Sequence, residues 1–144
     1  MLSIVRLSPR RFRAARRGAT VAEATIARRK AKARTGTRIS YTDSEAATTL
    51  FVVQRKVRGL RIGHRCVRST KRTRRAHRHA RRCGFYQRVG SFNHLDKAGA
   101  MKLRFRGRGN GRKLRSGSYR ITIQSRNGAG QLSAKVRRSF RIVR

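Results

Sequence analysis

The chain has 144 residues, with 41 Lys and Arg against 4 Asp and Glu and a formal net charge of +37. This length suits one domain with one core, and no run approaches the roughly 20 apolar residues of a membrane span. Four carboxylates leave paired acid/base catalysis short of parts, whereas a charge this large implies association with some polyanion, if only non-specifically.

Residues 1–15 read as N-terminal edge strands broken at Ser8-Pro9, because proline cannot donate to a ladder. The opening Met1 to Leu7 is too short and too soon interrupted by Arg6 for a signal peptide. Export would therefore require a longer precursor, with further domains of a longer chain as possible neighbours. A cytoplasmic protein is the alternative. Residues 16–34 are a basic connection. Their Ala, Lys and Arg favour helix, but the apolar stripe is thin.

Residues 35–144 form the remainder of a single β-domain. Arg38-Ile39-Ser40-Tyr41-Thr42 alternates, with Ile39 and Tyr41 inward, and Asp43-Ser44-Glu45 reads as a turn. Thr49 to Val53 is a β-branched and aromatic run with Thr49, Phe51 and Val53 inward. A hairpin follows through Gly59 and Gly63 to Cys66, then a basic loop over residues 67–82, then a strand from Phe85 to Phe92.

The clearest patterns come next. Ala100-Met101-Lys102-Leu103-Arg104-Phe105-Arg106 and Ser118-Tyr119-Arg120-Ile121-Thr122-Ile123-Gln124 alternate with period two. That period means a pleated strand with one buried and one wet face. A Gly-rich turn at 107–111 and an Asn127-Gly128-Ala129-Gly130 turn precede a last strand through Phe140 and Ile142. About seven strands with turns every 8–12 residues predict an all-β, antiparallel sandwich with a basic, part-helical segment near its N-terminus.

Two stretches carry a family resemblance. Leu114-Arg115-Ser116-Gly117-Ser118-Tyr119, followed by the polar turn Asn127 to Gln131, resembles the end of a bacterial immunoglobulin-like domain. The wider layout is similar to Arg-rich immunoglobulin-like domains of exported actinobacterial proteins. Its matching stretches are Leu7 to Ala14, Ser44 to Thr48, and Gly63 to Cys66 with the later Cys83. The resemblance implies an immunoglobulin-like or fibronectin-III-like fold and a structural or adhesive role rather than an activity. It also makes Tyr119 the candidate tyrosine corner, its hydroxyl bonding backbone a few residues upstream.

Cys66 and Cys83 are the only cysteines. One reading is a disulfide closing the basic hairpin loop, the other two separate thiols in a reducing cell. Their placement on either side of one charge block favours the disulfide and an oxidising compartment. His77 and His79 lie between them, but the spacing matches no usual zinc finger and the surrounding arginines repel a dication. No metal or cofactor is expected.

Arg68, Lys71, Arg72, Arg74, Arg75, Arg78, Arg81 and Arg82 form the densest cationic block. As a functional site this is a polyanion clamp, for wall polymer, polysaccharide or nucleic acid. As a bland feature it is a disordered solvated loop. Ser91 and His94 are close in sequence, but no acidic orienter is evident. The two function classes are therefore a non-catalytic structural or adhesive module, secreted or on the cell surface, and a cytoplasmic nucleic-acid-binding protein.

Overall fold

The computed structural model describes residues 1–23 and 35–144. Two main sheets share one core. The first has strand order β1 (Leu2–Ser8), β4 (Thr37–Asp43), β8 (Gly99–Phe105), β3 (Val21–Glu23). The second runs β2 (Arg11–Arg13), β12 (Val136–Val143), β11 (Gly117–Asn127), β5 (Ala47–Ile62), β6 (Arg65–Arg68), with β7 (Arg82–Asp96) also on β5. All pairings in these sheets are antiparallel except that of β12 with β2. Among the described residues, seven strands have seven or more residues. The other five (β2, β3, β6 and the small hairpin β9, Arg108–Gly109, with β10, Arg112–Lys113) have two to four.

Alternation sets the burial. In β8, Leu103 and Phe105 are buried between exposed Lys102 and Arg104. In β11, Tyr119, Ile121 and Ile123 are buried and alternate with half-exposed polar residues. Thr49, Phe51 and Val53 point inward from β5, and Ile39 and Tyr41 from β4. Phe12 and Phe105 meet edge-on at 6.1 Å, and Phe12 and Phe140 stack at 5.4 Å. These contacts tie β2 and β12 of one sheet to β8 of the other. Met101 is only partly buried.

Several expectations change. Residues 21–23 are not connection but strand β3, which pairs with β8 because Val21 falls opposite Phe105. The rest of the proposed connection, 24–34, lies outside the described residues. Residues 67–82 are not simply a loop. They contain the end of β6 and helix α1 (Lys71–Ala76), started by a reciprocal cap. Thr70 Oγ1 accepts from the Thr73 N–H at 3.2 Å, and Thr73 Oγ1 accepts from the Thr70 N–H at 2.8 Å. This satisfies donors that a first turn leaves open. Asp43 is not a turn residue but the last residue of β4, and it is buried. The Gly-rich turn is the tip of β9–β10, where Asn110 and Gly111 both take positive φ, 49° and 73°. Such angles suit a two-residue hairpin turn.

Candidate functional site: a strapped cationic arm

β5 and β7 are the longest strands and pair from Ala47 opposite Asp96 to Leu60 opposite Arg82. A bulge leaves Val89 unpaired between Gln54 and Val53. β11 covers the other edge of β5 only as far as Arg55. Beyond it, β6 takes over that edge at Gly59 to Ile62. The ribbon thus runs past the core as an arm made of β6, β5, β7 and, between β6 and β7, α1.

Two links cross the arm over β5. The Cys66–Cys83 disulfide joins β6 to β7, with Cα atoms 6.0 Å apart. Arg68 Nη2 donates to Gln87 Oε1 at 2.6 Å, again from β6 to β7. Neighbouring strands lie about 4.8 Å apart, so strands on opposite sides of a flat central strand would stand nearly twice that distance apart. The arm must therefore curl around β5. Gly59 permits the close crossing, because a Cβ there would come within 2.6 Å of Cys66 Sγ.

The densest cationic block lies on this arm. Residues 55–88 hold 14 of the 41 Lys and Arg, and between Glu45 and Asp96 the sequence has no acidic residue. Arg68, Lys71, Arg72, Arg74, Arg75, Arg78, Arg81 and Arg82 are all exposed. The fold brings them onto one curled element, six of them in α1 or the turn that follows it. Arg68 differs from the rest because it already spends a donor on Gln87. Of the aromatics next to the block, Tyr86 is covered by the Arg120 guanidinium, 3.8 Å above its ring, and Arg120 Nε is held by Gln54 Oε1 at 2.7 Å. That is a cation–π stack on the outer face of the sheet.

A second polar constellation was not legible as such in the sequence. Asp96 is buried and accepts from the Tyr41 hydroxyl at 2.6 Å and from Thr49 Oγ1 at 2.5 Å. His94 Nδ1 lies 2.5 Å from Asp96 Oδ1. Two residues apart on one strand, Asp96 and His94 share a face, so His94 does have an acidic partner, contrary to the sequence reading. Ser91 is odd-numbered relative to His94 on that strand and bonds Arg88 Nη2 at 2.5 Å instead. Burial, and next the hydrogen bond to Asp96, raise the Tyr41 phenol far above its ordinary pKa. The group links β4, β5 and β7 at the end of the β5–β7 ribbon opposite the arm.

Tyr119 is buried, and its hydroxyl donates to the Arg115 carbonyl, four residues upstream, at 2.6 Å. No cluster of three or more His, Cys, Asp or Glu fit to hold a metal occurs among the described residues. Among them, too, no helix is long and apolar enough to cross a membrane. Comparison with protein-family models, curated proteins and solved structures gives no match.

Proposed function

We propose that this is a non-catalytic structural and adhesive module with an immunoglobulin-like sandwich, part of an exported or cell-surface protein, whose cationic arm holds anionic polymers. One observation carries the reading: eight exposed cations sit on a disulfide-strapped arm whose sequence contains no carboxylate. Strapping reduces the ordering cost of binding, since the arm is shaped before the polymer arrives. Guanidinium forks then take phosphate or sulfate oxygens bidentately. The bridge supports an oxidising compartment. The Tyr119 bond to Arg115 supports the immunoglobulin-like reading.

The test replaces Arg74, Arg75, Arg81 and Arg82 with Ser and measures binding of an anionic wall polymer and of double-stranded DNA against salt. The variant is expected to bind both more weakly. Its log–log salt slope on DNA should be shallower by roughly 3–4 if all four side chains contact phosphate. A wild-type protein whose binding ignores salt, or a variant with the wild-type slope, overturns the proposal. Wild-type binding that is far tighter for DNA than for wall polymer replaces it with a cytoplasmic nucleic-acid-binding role.

A further inference from the structure

We propose that the cleft between β1 and the first half of β12 is a second anion site, independent of the arm, which takes phosphate or sulfate ester groups on the Arg138 guanidinium. The argument begins with register. Ile123 lies opposite Val136, Ile121 opposite Arg138 and Tyr119 opposite Phe140. Ile123, Ile121 and Tyr119 are buried, so Arg138 occupies a core-facing position of β12, between Val136 and Phe140. A guanidinium does not stay in an apolar core without a partner. Here the side chain runs out through the open side between the sheets.

There it is fixed. Arg138 Nε donates to the Val5 carbonyl of β1 at 3.0 Å, and Nη1 to the Arg137 carbonyl at 2.9 Å. These bonds set the plane of the fork and leave Nη2 without an acceptor among the described residues. The surrounding cleft has a volume of about 820 Å³, and Arg6, Arg10, Arg137, Ser8 and Ser139 are among the residues that line it. Among the described residues no carboxylate forms an ion pair with Arg138. β2 covers the edge of β12 only at Arg141–Val143, so the cleft stays open beside Val136–Ser139. An inward charge at such an edge also discourages strand addition. One charge suffices for that. A fixed fork in a cleft lined by three further arginines and two serines matches a multiply charged tetrahedral oxyanion.

The test titrates inorganic tripolyphosphate, and separately a sulfated disaccharide, into the oxidised protein by calorimetry at constant salt. Arg138→Lys keeps the charge and loses the fork; Arg6→Ser with Arg137→Ser strips the exposed rim. Saturable one-to-one binding is expected, weakened tenfold or more by either variant and unchanged by the four arm substitutions. The probe bound more tightly identifies the ester class. Binding unaffected by both cleft variants, or absent in the wild type, overturns the site. In that case salt-dependent polymer binding through the arm would still stand on its own test.

Discussion

Gly59 lies directly beneath Cys66: a side chain there would place its Cβ 2.6 Å from Cys66 Sγ, 2.6 Å from the Val67 carbonyl and 3.3 Å from Cys83 Sγ. Glycine and bridge are thus a single device. Gly59→Ala is expected to destabilise the oxidised protein by roughly 1–3 kcal/mol, the usual cost of overpacking. In a Cys66→Ser, Cys83→Ser background the same change should cost less, because two of its three obstacles, the sulfur atoms, are replaced by smaller oxygens. Denaturation of the four proteins in this cycle measures the coupling, and strict additivity would separate the glycine from the bridge.

The bridge itself closes a sequence separation of 17 residues. Cys66→Ser with Cys83→Ser is expected to lower stability by roughly 3 kcal/mol in the chain-entropy account. The loss should be local. Amide exchange should accelerate in β6, α1 and the first part of β7, and stay slow in β8 and β11. Uniform acceleration would mean that the arm and the core unfold as one unit.

How far the sequence was legible depends on where its period held. Lys102 and Arg104 alternate with Leu103 and Phe105, so one face of β8 was predictable, and both apolar residues are buried. In β12 the period was present but an arginine filled an inward slot, which hides Arg138 among the outward arginines 137 and 141 until the register with Ile121 is known. Asp96 looked like an isolated acid because its partners Tyr41 and Thr49 are 55 and 47 residues away. Only the pairing of β5 with β7 brings Thr49 to it. Helix α1 buries no residue, so it had no apolar stripe to betray it. Its one local signal was the pair of threonines at 70 and 73. The arm was invisible for a similar reason: strand length beyond a core follows from which neighbour pairs, and β6 replaces β11 along β5 without a mark in the sequence.

Asp96 should be the most sensitive polar position. Asp96→Asn presents an amide to two hydroxyl donors and to His94, and only one of its atoms accepts. A loss of roughly 1.5–3 kcal/mol is expected, the range for a hydrogen bond to a charged group. Thr49→Val removes one donor and keeps the others, so it should cost less. Urea denaturation distinguishes them. An Asp96→Asn protein as stable as the wild type would show that the network adds nothing to folding.

The two raised phenols give stability a pH dependence on the alkaline side. Burial and the Asp96 hydrogen bond raise Tyr41, and burial raises Tyr119 against the opposing pull of Arg55 and Arg115. A tyrosine titrates near about pH 10 in an unfolded chain. Because both folded values are higher, the contribution is complete below that pH. Above it the unfolded chain gives up its proton first, and stability falls as pH rises towards the folded pKa. The comparison to make is wild type against Tyr41→Phe. At neutral pH the variant should be less stable by roughly 1–3 kcal/mol, because Asp96 loses a buried donor. From about pH 10 upward the gap should close as the wild type loses its Tyr41 contribution. Tyr119→Phe should behave in the same way with a smaller neutral-pH loss of about 1 kcal/mol, since its acceptor is the Arg115 carbonyl. Thermal melts in matched salt across that range read both effects, and a gap for Tyr41→Phe that stays constant with pH would remove the buried phenol from the alkaline transition.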